Sequence, residues 1–268
     1  MQELGWLVQP AVFPWFALAA GLCVGSFLNV VIHRVPNGES VVRPRSRCPG
    51  CGTQLAEYDN IPVISWLVLR GKCRTCHAPI SARYPIVEAL TAAVFGLFAA
   101  HLGWVWVLPA FLYLGAVGIA LAAIDIDTKR LPDRIVLPSY GVAAVLLGAA
   151  AALDHDWHAA ARVAASGVAL WAFYLVLVLV YPKGMGWGDV KLAGVLGMYL
   201  GWLGWGSLVV GGFLGFLLGG VVGAALMLSG RAGRKTKIPY GPYMIAGTFL
   251  AVFWGQHISS WYTGILGH

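Results

Sequence analysis

Apolar runs alternate with short polar connections through most of this chain. The first, 13–32, has 20 residues, about what a ~30 Å hydrocarbon core requires of a helix, and it ends at His33-Arg34. Further runs at 85–101, 104–124, 135–153, 161–181, 190–203, 207–228 and 242–254 bring the expectation to about eight transmembrane helices in an all-α polytopic membrane protein. The run from 190 is short, which suits a tilted or broken helix, or one only partly in lipid. One segment, 33–84, breaks the pattern with a long polar stretch. The predicted organisation is therefore residues 1–32 as N-terminus and first helix, 33–84 as a small inserted polar domain, and 85–268 as a seven-helix membrane domain.

Composition agrees with the pattern. Hydrophobic residues make up 59% and charged ones 11%, against roughly 25% charged in soluble domains; mean hydropathy is +0.75. The 35 glycines suit membrane helices that pack backbone to backbone. The net charge of +7 would hint at nucleic acid in a soluble protein. Here the basic residues read as topology determinants, and no nucleic-acid partner is expected beside the lipid bilayer. Residues 1–12 hold Glu3 and no Lys or Arg, so no cleaved signal peptide is expected. Of 18 basic residues, eight fall in 33–84, three in 125–134, two at Lys183 and Lys191, and four in 229–238; only Arg162 lies on the other side. Positive residues mark the cytoplasmic face. An eight-span chain then has both termini outside, a cytosolic polar domain, and Asp125, Asp127, Asp133 and Asp189 at the cytosolic membrane boundary.

The polar domain carries Cys48-Pro49-Gly50-Cys51 and Cys73-Arg74-Thr75-Cys76, separated by 21 residues. Two close thiol pairs with turn residues between them suit tetrahedral Zn²⁺, and a four-cysteine site has no open position, so the metal is expected to be structural. Redox-active dithiols are the alternative. His33 and His77 are substitute ligands without a partner at the right spacing. Cys23, alone in the first span, is expected to fill a core position.

Two acidic stretches, Asp125-Ile126-Asp127 and Asp189 behind Gly184, Gly186 and Gly188, stand where apolar runs end or begin. A carboxylate in a membrane is costly and is a functional candidate for that reason; Asp127 and Asp133 also read as solvated interfacial acids. The glycines allow a close backbone approach, and a helix starting at Asp189 would favour the carboxylate through its dipole. Asp125 and Asp127 lie about 200° apart on a helix, so periodicity leaves open which of them faces inward with Asp189. Aspartyl proteolysis needs two acids close enough to share a proton. A non-enzymatic transporter or membrane scaffold, with the aspartates as a proton relay and the cysteine domain as a docking surface, and a metal-dependent lipid phosphotransferase are the competing classes. The first expects an internal repeat that is not seen here, the second more clustered acids.

Gly186-Trp187-Gly188-Asp189 with Val190-Lys191-Leu192 resembles the GxGD signature of the type IV prepilin peptidases. Asp125-Ile126-Asp127 followed by Leu131-Pro132-Asp133 resembles that family's other aspartate motif. Residues 25–34, both cysteine pairs, 83–88 and 239–243 extend the likeness over nearly the whole chain in order. The resemblance implies a bacterial inner-membrane enzyme with its site toward the cytosol. Such an enzyme removes the basic leader of type IV prepilins or type II secretion pseudopilins, then methylates the new N-terminal amine with S-adenosylmethionine. It implies Asp125 and Asp189 as the catalytic pair, preferring Asp125 over Asp127. It also implies that methylation depends on the cysteine domain, including Gly71. Glu57, Asp59 and Glu88 read first as structural residues and second as contacts for a basic leader, with Glu88 the strongest of the three for that role. No glycine-rich dinucleotide fingerprint marks a methyl-donor site.

Overall fold

A computed structural model describes residues 12–48, 50–182, 185–230 and 238–266. Glu3, Pro49, Lys183, Gly184, Arg231, Arg234, Lys235 and Lys237 lie outside them, as does the Glu57 side chain. The described elements are helical: α1 (Phe13–Arg34), a 3₁₀ turn (Glu57–Asn60), α2 (Ile64–Val68), α3 (Arg83–Leu102), α4 (Leu108–Thr128), α5 (Asp133–Leu153), α6 (Trp157–Val180), α7 (Trp187–Leu203), α8 (Trp205–Leu228) and α9 (Gly241–Leu266). Eight of these are long, matching the eight apolar runs. Six of them (α1, α3, α4, α5, α6 and α8) are long and apolar enough to cross a membrane. At 17 residues α7 is only about 26 Å long at 1.5 Å per residue.

The chain divides into two compact units, Met1–Ala120 and Leu121–His268, with the boundary inside α4. In the first unit α1 and α3 pack antiparallel along a ladder with a four-residue step. A Cβ at Gly21 would stand 2.7 Å from Ala92 Cα, and one at Gly25 would stand 2.7 Å from Glu88 Cα. One turn further, Asn29 Nδ2 donates to Tyr84 O at 3.1 Å. Close approach of helix backbones is what packs helices where lipid removes the hydrophobic drive. Below α1 the chain is pinned back by Arg34, whose guanidinium donates to Ser40 O at 3.0 Å and Pro44 O at 2.7 Å. Cys23 lies exposed on α1, contrary to the core position expected for it. The buried stripe of α1 is Ala17, Gly21, Gly25, Leu28, Asn29 and Ile32, and Cys23, two residues beyond Gly21, lies about 200° around the helix from it.

In the second unit α7 is the inner post, packed by α5, α6, α8 and α9, and its residues from Val190 to Gly201 are almost all buried. This explains why a short helix suffices: it is enclosed by longer ones. Its glycines admit α6 closely, since a Cβ at Gly197 would stand 2.6 Å from Ser166 O. Arg162, the one basic residue against the charge pattern, donates from Nε to Gly201 O at 2.6 Å and from Nη2 to Trp202 O at 3.1 Å. It therefore satisfies carbonyls that the end of α7 would leave without partners.

Two helix boundaries differ from the sequence reading in a way that matters. Helix α4 runs on through Thr128, so Asp125 and Asp127 sit in its last turn, not after it. Helix α7 starts at Trp187, so Asp189 is its third residue and not its first. In both places the hydropathy change precedes or follows the true helix end, because hydrogen bonding carries a helix across a polar residue.

Candidate active site and metal centre

Asp125 and Asp189, both in the second unit, are 4% and 8% exposed. Asp127 and Asp133 are exposed; Asp133 accepts from Lys191 Nζ at 2.8 and 2.9 Å in an exposed pair. The roughly 200° between Asp125 and Asp127 is thus resolved in favour of Asp125 as the inward acid.

The two buried carboxylates are held alike. Asp189 Oδ2 accepts the N–H of Gly186, just before α7, at 3.0 Å. Asp125 Oδ2 accepts the N–H of Gly241, the first residue of α9, at 3.0 Å. Each acid therefore rests on an otherwise unpaired donor at a helix start, where the dipole favours negative charge. The two are close enough for the charge of Asp125 to act on Asp189.

Glycine spacing around the pair has a local cause. A Cβ at Gly241 would stand 2.9 Å from Asp125 Oδ2 and 3.4 Å from Leu131 Cδ2. A Cβ at Gly188 would stand 3.0 Å from Leu131 Cβ, and one at Gly186 would stand 3.3 Å from Asp189 Oδ2. The room the sequence reading reserved for a visiting backbone at 186 and 188 is occupied by the chain's own carboxylate and by Leu131. Gly184 lies outside the described residues.

Sequence reasoning gave no role to two tyrosines here. Tyr174 of α6 is 1% exposed, and its hydroxyl lies 3.4 Å from that of Tyr240. Both are within electrostatic reach of Asp189, and Phe216 stacks on Tyr174 at 5.3 Å. Tyr240 falls in the 239–243 block, which was a signal without an assigned task; Tyr174 looks like any aromatic in an apolar run.

In the first unit the sulfurs of Cys48, Cys51, Cys73 and Cys76 all lie within 4.8 Å of one another and can hold a metal ion. Cys48 and Cys76 Sγ are 3.8 Å apart, and Zn–S bonds of ~2.3 Å in a tetrahedron place sulfurs about 3.8 Å apart. The two pairs sit on matching turns. Cys48 N donates to Thr53 O and Cys73 N to Ala78 O, both at 2.9 Å. Gly52 and His77 follow the second cysteine of each pair at φ +71 and +55. His77 therefore serves as a turn residue and is not in the ligand cluster. A hydrogen bond from the Thr53 hydroxyl pulls the Cys51 thiol down to about 6. Cys76 is pushed up to about 11: the Ala78 N–H acts to lower it, but the Cys51 sulfur, loss of water, and the Cys73 and Cys48 sulfurs together outweigh that. Four thiolates at this spacing repel one another, and a divalent cation removes that conflict. A redox pair needs only two of these cysteines, whereas the geometry gathers all four.

Of the candidate leader contacts, Asp59 forms an ion pair with Arg74 at 2.7 Å, while Glu88 is 8% exposed. Gly71, at φ +68, lies against the Trp66 ring, 2.9 Å from where its Cβ would stand.

A helical, multi-pass membrane protein with two buried carboxylates and a four-cysteine cluster able to hold a metal ion is the class these features define. Residues 19–102 match the bacterial peptidase A24 N-terminal domain, and residues 112–228 match the type IV leader peptidase family. A prepilin leader peptidase/N-methyltransferase from Stutzerimonas stutzeri is 39% identical over 95% of this chain and 95% of that protein. Proteins of the same name from Aeromonas hydrophila and Pseudomonas aeruginosa are 38% and 36% identical over 97% of this chain, covering 95% and 96% of their own lengths. No solved structure matches the chain. The chain belongs to the type IV leader peptidase family and is an enzyme of that protease family.

Proposed function

We propose that this protein removes the basic leader of type IV prepilins or type II secretion pseudopilins and then methylates the amine so exposed. The observation that carries the peptidase reading is the matched burial of Asp125 and Asp189, each on a helix-start N–H, with the charge of one acting on the other. Two such carboxylates hold one proton between them. The ionised one takes a proton from water as its oxygen attacks the scissile carbonyl. The protonated one delivers a proton to the departing amide nitrogen. The products are the leader's new carboxylate and the pilin's new amine, and neither step uses a metal.

Zn²⁺ in the Cys48, Cys51, Cys73 and Cys76 cluster is structural in this reading, since all four positions are filled by protein. It would hold together 33–84, taken as a cytosolic zinc domain between the first helix and the seven-helix peptidase domain of 85–268. S-adenosylmethionine supplies an electrophilic methyl group; the chain's part is to hold the donor and the amine. Gly71 belongs to that methylation machinery. The charge pattern of the connections supports an inner-membrane enzyme with its site toward the cytosol.

The test is mass spectrometry of a purified prepilin after incubation with the enzyme, with and without S-adenosylmethionine. Leader loss in both samples and a methyl increment only with the donor are expected. Full cleavage by Asp125→Asn or Asp189→Asn protein would overturn the assignment of the pair.

A further inference from the structure

The first unit contains a cavity of about 740 Å³ whose wall includes Asn29, Trp66, Glu88 and the two metal-site residues Cys48 and Cys73. Ligand sites of drug-sized molecules run roughly 300–1,000 Å³, so a nucleoside with an amino-acid tail fits by volume.

Its least ordinary wall residue is Glu88. The side chain is 8% exposed, and Gly25 brings its backbone tight against α1. Glu88 Oε2 accepts the Val63 N–H at 2.7 Å, and the Ser26 and Asn29 side chains also hydrogen-bond the carboxylate. No ion pair to Glu88 occurs among the described residues. A buried carboxylate without a cation is costly. Val63, whose N–H meets Glu88, stands at φ +60 in a tight turn closed by Ile64 N on Pro62 O at 2.6 Å, a conformation strained for a β-branched residue. Strain kept at a buried charge on a cavity wall points to a functional site.

Trp66 is held as firmly. Its Nε1 donates to Ile80 O at 3.1 Å, Gly71 N donates to Trp66 O at 2.9 Å, and Ile80 N donates to Gly71 O at 2.7 Å. A side chain at Gly71 would strike the indole, so Gly71 acts on the cavity through the ring.

We propose that this cavity binds S-adenosylmethionine, with Glu88 pairing the ligand's ammonium group and the Trp66 ring forming a flat wall for the rest. The proposal rests on the methyltransferase reading above. An ammonium answers both needs of the carboxylate, a positive charge and N–H donors for its remaining lone pairs. A sulfonium supplies only the charge.

The test uses the full-length purified protein and three ligands: S-adenosylmethionine, S-adenosylhomocysteine, and 5′-methylthioadenosine, which lacks the ammonium. Glu88→Gln is expected to weaken the first two at least tenfold in Kd and leave the third unchanged; Trp66→Ala weakens all three. Photo-cross-linked donor is expected to map to peptides within 59–88. Bound zinc and the thermal midpoint report whether each variant folds. Should Glu88→Gln fail to fold, the wild-type preference for ammonium-bearing ligands and the cross-link map decide. Unchanged donor affinity in folded Glu88→Gln, equal loss for methylthioadenosine, or a cross-link outside the first unit overturns the proposal. Wild-type protein that methylates a cleaved prepilin but cross-links elsewhere overturns the cavity assignment alone. Wild-type protein that neither binds the donor nor methylates overturns the reading beneath it.

Discussion

Asp125 in the last turn of α4 accepts the N–H of Gly241 at the start of α9, 116 residues away, at 3.0 Å. This bond orients one of the two acids, and Gly241 is the only residue type that permits it without contact, since a Cβ there would stand 2.9 Å from the carboxylate oxygen. Gly241→Ala is expected to leave the protein folded and inserted, because neither neighbour is displaced far. Leader cleavage should fall about 10- to 100-fold, the scale on which misplacement by an ångström costs rate. The check is cleavage rate against thermal midpoint. A midpoint that collapses with the rate would show that the bond is chiefly structural.

Tyr174 and Tyr240 form a hydroxyl pair 3.4 Å apart within reach of the Asp189 charge. A hydroxyl acting through a neighbour contributes less than a donor touching the reacting atoms, whose loss costs ~10²–10³ in kcat. Tyr240→Phe is therefore expected to lower kcat about tenfold with KM unchanged, the signature of an interaction made in the transition state. Steady-state kinetics on a prepilin would separate this from a packing defect, which should appear in the thermal midpoint instead.

How far the sequence could be read follows from these residues. The long helices were legible because an apolar run near 20 residues is rarely anything but a membrane helix. Asp125 and Asp189 were legible because acids rarely stand in such runs. Asp125 was separated from Asp127 by family likeness, and burial in the folded chain now separates them physically. Tyr174 was not legible: an aromatic in an apolar run reads as packing until its partner, 66 residues away, is placed. Leu131 was visible only as part of the second aspartate motif, and its contact with the Gly188 and Gly241 positions appears once the chain is folded. Val63 could not have been found at all, since a β-branched residue is expected in extended backbone, whereas it stands at φ +60 in a tight turn that Ile64 N closes on Pro62 O.

The four cysteines are in the first unit and both aspartates are in the second. Losing the metal should therefore disturb one activity more than the other. Cys48→Ser or Cys73→Ser removes a buried ligand that also lines the cavity. Structural zinc contributes on the order of 10 kcal/mol to the folding of small domains, so the 33–84 segment should lose its order. Bound zinc is expected to fall from one per chain to near zero, with methylation abolished and leader cleavage largely retained. Metal analysis and mass spectrometry of the same preparation check both. A zinc-free wild-type protein with full methylation would sink the structural-metal assignment.

Gly188 and Leu131 give the sharpest test of what the glycines before Asp189 are for. If Gly188 makes room for a substrate backbone, any side chain there blocks the substrate whatever stands at 131. The contact geometry says otherwise: a Cβ at 188 first meets Leu131 Cβ at 3.0 Å. Gly188→Ala alone should therefore reduce cleavage by shifting Leu131, which also packs within 3.4 Å of the Cβ position at Gly241, and through it the neighbourhood of Asp125. Adding Leu131→Ala removes the obstruction and should restore at least part of the lost rate. Contacting residues couple by ~0.5–3 kcal/mol in such cycles, which is a factor of about two to more than a hundred in rate. Cleavage kinetics of the two single variants and the double variant measure that coupling. A double variant no faster than Gly188→Ala would return the glycine to the substrate and leave Leu131 as packing.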